Sequence, residues 1–169
     1  AFRTRENSTG QAATDSEQLR IMSQGGITFN GDTAYANALD DYEEGTHTPS
    51  VLTGFSGTPT YTTQNGKYVK IGSLVTYWFY ILFNSATSNA ASITISLPIS
   101  GSTGNNGYFG AISFHNLNSP SASHTFIPYL NGANDIKFYG GAGTIFSAGN
   151  GSSQDSKYII GGFTYPTPF

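Results

Sequence analysis

The chain has 169 residues, a formal net charge of −3, no cysteine, and 10% charged residues against about 25% in ordinary soluble domains. Without cysteine neither a disulfide frame nor a thiolate metal site can hold the fold, and seven Lys and Arg scattered over this length make no basic face for neutralising phosphates, which excludes nucleic-acid binding. The longest apolar run, Leu74 to Phe83, has ten residues where a spanning helix needs about 20, so no membrane insertion is expected.

Composition breaks near residue 46. Residues 1 to 45 hold eight of the ten acids, three Arg and four aromatics, a formal −5; residues 46 to 169 hold two acids, four Lys and twenty aromatics, a formal +2. This divides the chain into an extended arm, 1–49, and a head domain, 50–169, of which only the head has the apolar content for a core of its own. The chain opens at Ala1 without a methionine or a signal-peptide pattern, so a longer parent protein is expected.

In the arm, LRI at 19 to 21 and ITF at 27 to 29 read as two short extended pieces around Ser23-Gln24-Gly25-Gly26. Ala36 to Tyr42 suits one helical turn or an extended crossing. The apolar residues are too thinly spread to fold alone and need a partner surface, which symmetric assembly with other copies commonly supplies.

In the head, β signals occur almost everywhere. Thr58 to Gln64 and Lys67 to Ile71 flank Asn65-Gly66, a pair that accepts the positive φ of a tight turn, so a hairpin is predicted there. In Leu74 to Phe83 both alternating faces are apolar, which predicts a central strand covered on both sides, with Trp78, Phe79 and Phe83 in the core. Ala91 to Leu97 alternates, with Ile93, Ile95 and Leu97 inward and Thr94 and Ser96 outward. Further strands are read at Tyr108 to His115, His124 to Leu130, Ile136 to Tyr139, Thr144 to Ser147 and Lys157 to Tyr165; Pro128 places its segment at an edge or a bulge. About eight to ten short strands without helices indicate an all-β, antiparallel β-sandwich or jelly-roll head.

The string FRTRENST, then LRI, then GGITFNGDTAYANALDDYEEGTHTPSV, resembles the stretch that introduces the C-terminal tip domain of tail-fibre proteins of tailed bacteriophages, especially those of cyanobacteria and marine bacteria. The match is strongest from Gly26 to Gly45 and weaker in TPTYTTQNGKYVKIGSLV; related sequences often carry Trp where this chain has His47. The resemblance implies a homotrimeric virion fibre tip acting outside the host cell. Leu19, Ile21, Ile27 and Phe29 would then be interchain contacts, and the head would bind a host cell-surface receptor, a glycan or a protein. A virion decoration module docking on another viral protein is the alternative, and a capsule-degrading glycosidase a distant one.

Candidate chemistry is sparse. Asp40, Asp41, Glu43 and Glu44 form the one dense acidic cluster, but glycoside cleavage needs two positioned carboxylates, and the head offers only Asp135 and Asp155. His47, His115 and His124 form no HxH or HExxH arrangement, so no zinc site is expected. No GxSxG elbow occurs, and Gly140-Gly141-Ala142-Gly143 lacks the Lys and following helix of a phosphate cradle. The reading is therefore non-enzymatic, with no cofactor and no metal. Sugar binding is the positive idea, since aromatic rings stack on the C–H faces of pyranoses. Tyr108, His115, Tyr129 and Tyr139, beside loops rich in Asn, Ser and Gly, are the receptor-binding candidates.

Overall fold

In the computed structural model the described residues are 2–5, 15–89, 91–102, 127–139, 151 and 153–168. Among them every strand pairing is antiparallel and no α-helix occurs, as the sequence pattern predicted. The expected strands at Tyr108–His115 and Thr144–Ser147, the first residues of His124–Leu130, and Gly140–Gly143 lie outside the described residues. The chain divides into two compact units, Ala1–Glu43 and Glu44–Phe169.

The first unit carries a three-stranded sheet in the order β1 (Phe2–Arg5), β2 (Asp15–Ile21), β3 (Ile27–Phe29). LRI and ITF are extended, as expected, and pair with each other antiparallel. The glycines between them take positive φ at Gly25 and Gly26, and Met22 N–H donates to the Gly26 carbonyl at 2.9 Å, which closes the turn. Ile27 and Leu39 exchange both backbone hydrogen bonds, and a 3-10 turn at Tyr35–Asn37 lies between them, held by Asp32, whose carboxylate accepts from Ala34 N–H and Asn37 Nδ2. Among residues 17–43 Met22 and Thr28 are the buried ones.

The second unit holds two four-stranded sheets. One runs β5 (Val51–Thr53), β8 (Thr94–Ser96), β10 (Asp135–Tyr139), β9 (Ile127–Leu130). The other runs β11 (Tyr158–Pro166), β7 (Leu74–Ser85), β6 (Thr60–Ile71), β4 (Tyr42–His47). Pro128 sits on β9 at the edge of its sheet, opposite Phe138, where a missing N–H costs no ladder bond. Both sheets contribute to one buried cluster that includes Val75, Tyr77, Phe79, Ile81 and Phe83 of β7, Ile95 of β8 and Ile136 and Phe138 of β10.

Two expectations are corrected here. Asn65-Gly66 makes no turn: β6 runs through it without a break, and the chain reverses at Gly72-Ser73, where Gly72 has φ +57°. Gly66 has a different job, because a β-carbon there would come within 2.8 Å of the Tyr77 hydroxyl and 2.9 Å of the His47 carbonyl, so the residue permits close approach inside the strand. Thr94 is also not outward. It is buried, and its hydroxyl meets that of Thr53 at 2.9 Å, which satisfies the polar group.

Candidate functional site

The outer face of β7, expected to be covered, forms the site. β7 is central in its sheet, but among the described residues no second layer covers its outer face: Val75, Tyr77, Phe79, Ile81 and Phe83 are buried, whereas on the other face Leu74 and Trp78 are 51% and 50% exposed and Thr76, Tyr80 and Leu82 half-buried. Strand register explains how the open face is built. Lys67 of β6 and Gly162 of β11 lie directly opposite Trp78, and Asn65 and Ile160 lie opposite Tyr80. A β-carbon at Gly162 would fall 2.8 Å from the indole Cδ1, so the ring leans over a position that only glycine leaves free. Tyr80 is braced in turn by Tyr158, with ring centroids 5.8 Å apart.

Two hollows open on this face. The larger, about 560 Å³, has Trp78 and Tyr80 as aromatic walls, Asn65, Lys67 and Ile160 at its sides, and a floor of glycine backbone. The smaller, about 360 Å³, lies toward β4 and is lined by Glu44, Thr46, Val69 and again Lys67 and Trp78. Trp78 and Lys67 are thus common to both. Lys67 makes no ion pair among the described residues. Such a surface can stack a flat apolar ligand face on the indole and offer hydrogen bonds from Lys67 and Asn65 at its rim.

Of the sequence-predicted receptor residues, Tyr129 lies away from this face. Tyr108 and His115 lie outside the described residues; Tyr139 contributes backbone to β10; Tyr129 is half-buried on β9, opposite Lys137, on the sheet that lacks Trp78. The described parts of 84–90 and 148–156, two of the segments rich in Asn, Ser and Gly, are zipped to each other, with Gly151 N–H donating to the Ser88 carbonyl and Gln154 N–H to the Ala86 carbonyl, both at 2.7 Å. Asp155 accepts from Ala86 N–H, which ties its loop to the end of β7 and holds its carboxyl below the usual range, and Asp135 accepts from Asn131 Nδ2 in the turn between β9 and β10. Among the described residues no group of three or more His, Asp or Glu is placed to hold a metal ion.

His47 links the two sheets of the second unit. Its Nε2 lies 3.1 Å from the Ser96 hydroxyl, the same oxygen that accepts from Ser50 N–H, and its ring meets Tyr77 edge-on at 5.7 Å. Burial lowers its pKa.

In the first unit, register brings all four assembly candidates together. Leu19 stands opposite Phe29 and Ile21 opposite Ile27, so the four share one face of the β2–β3 hairpin, while Arg20 and Thr28 share the other. Within one chain that face is largely uncovered, with Ile21 65% and Phe29 52% exposed.

Compared with protein-family models, with curated proteins and with solved structures, the chain matches none.

Proposed function

We propose that this chain is a non-enzymatic attachment module, the trimeric tip of a phage tail fibre, whose sandwich-like head binds a host cell-surface glycan during adsorption. The observation that carries this reading is the open aromatic face of β7, where Trp78 and Tyr80 stand over glycine-floored hollows instead of packing into the core. Aromatic rings match the C–H faces of sugars, and the hydrogen-bonding rim matches their hydroxyls. Single sugar contacts are weak, so joining several heads raises avidity without any new contact. The apolar face of Leu19, Ile21, Ile27 and Phe29 supports assembly, since full burial of each such side chain against another copy contributes about 1.5 to 3 kcal/mol. A glycosidase is disfavoured because Glu44 is the one acid lining these two hollows, and glycoside cleavage needs two positioned carboxylates.

Light scattering tests the assembly half. The whole chain is expected at three times its 17.9 kDa mass, and a paired Ile21→Glu, Phe29→Glu variant is expected to lose that mass while keeping its head folded; a monomer in both cases would contradict trimeric attachment. Glycan-array binding by the chain and by Trp78→Ala tests the other half, and equal binding by the two would remove the receptor role from this face.

A further inference from the structure

Resting on the glycan reading above, we infer that the ligand is an internal stretch of a linear, carboxylate-bearing polysaccharide laid across the strands, with Trp78 between two successive subsites. The two hollows are adjacent and share Trp78 and Lys67 as their common wall. A terminal sugar fills one depression; an extended chain fills two in succession, so the paired shape selects the interior of a polymer over its end. Crossing from β4 to β11 passes three strand gaps, about 14 Å at the usual spacing, which accommodates a short oligosaccharide and exceeds a single ring.

Charge at the shared wall identifies the polymer. Lys67 stands opposite Trp78 in the ladder, exposed and without an ion pair among the described residues. An ammonium there gains from a carboxylate held over the indole, and a neutral chain leaves it no such partner. Glu44, the acid on the β4 flank, lines only the smaller hollow, so the carboxylate of the ligand belongs on the Lys67 and Asn65 side. The same lysine argues against a protein partner, because Lys is depleted from the cores of protein interfaces and here it sits at the middle of the patch.

The test titrates uronic-acid oligomers, from the monosaccharide upward, and neutral glucose oligomers of equal length into the whole chain. Binding is read on the emission of Trp78, the only tryptophan. The expected result is affinity for the uronate series that rises steeply beyond the monosaccharide and weakens as salt is added. Lys67→Gln should weaken it up to about fivefold, the scale of an exposed ion pair, and Lys67→Arg should retain it. Equal affinity for neutral and uronate oligomers with no effect of Lys67→Gln, or a monosaccharide that binds as tightly as the longer chains, overturns this inference and leaves the glycan reading standing. Oligomers of neither kind perturbing Trp78, on a chain whose circular dichroism is that of a folded β protein, overturns both.

Discussion

The two faces of β7 carry similar apolar content and have opposite fates. Inward, Val75, Tyr77, Phe79, Ile81 and Phe83 interlock with the facing sheet; outward, Leu74, Trp78, Tyr80 and Leu82 meet no second layer among the described residues and two of them are half-exposed. A strand that invests aromatic side chains on both sides but covers only one leaves a surface that gains from a ligand. The difference separates residues that hold the fold from residues left free to bind, and substitutions on the two sides should separate the same way.

The largest effect belongs to the inner face. Phe79→Ala should destabilise the head by about 3 to 5 kcal/mol through the cavity it leaves, whereas Trp78→Ala, one residue away, should change unfolding free energy by less than about 1 kcal/mol; denaturant melts that show equal losses would erase the distinction between the faces. Next comes Gly66→Ala, where the added methyl meets the Tyr77 hydroxyl and the His47 carbonyl. A loss of about 1 to 3 kcal/mol is expected from overpacking, and a neutral result would mean that the inner packing at this point is loose.

Smaller still is a contrast between two buried tyrosines. The Tyr165 hydroxyl donates to the Ile99 carbonyl at 2.8 Å, so Tyr165→Phe should cost about 1 kcal/mol. The Tyr77 hydroxyl is buried without a hydrogen-bond partner among the described residues, so Tyr77→Phe should be neutral or stabilising. Burial raises the pKa of both phenols, which keeps them neutral through the physiological range.

The smallest effect is the pH response of His47. Its folded pKa lies below the ordinary 6.5 because burial disfavours the imidazolium. The contribution of the neutral ring is therefore fully present above pH 6.5 and is lost as pH falls from there through the folded pKa, the unfolded chain taking up the proton first. His47→Gln should flatten the thermal stability profile over that window; an unchanged profile would place the pH dependence elsewhere.

Much of the fold was legible in the alternation of residues. The inward set on β7, the inward Ile93, Ile95 and Leu97 and the edge position of Pro128 follow from period-two patterning and from proline's missing donor, and LRI and ITF were legible as extended pieces. The errors share a physical cause. Asn65-Gly66 carries turn chemistry, but the glycine is used for close approach to Tyr77, a residue eleven positions away that local sequence does not reveal. Trp78 carries core chemistry, and a hydrophobic pattern states what a face is made of without stating what lies against it. The glycines that frame Trp78, Gly66 and Gly161-Gly162, are visible in the sequence, but they become a signal only when register sets Gly162 opposite Trp78 and Gly66 and Gly161 opposite Phe79. His47 was legible as a polar residue only, because its partner Ser96 is 49 positions distant.

Because Trp78 is the only tryptophan, its fluorescence reports the open face without any substitution. Acrylamide quenching of the native chain, alone and with saturating uronate oligomer, is the most direct test. An exposed indole that acrylamide quenches readily and that the oligomer protects is the predicted result. Emission that is already shielded in the free protein would contradict an open face on β7, and quenching that neither uronate nor neutral oligomers change would contradict glycan binding there.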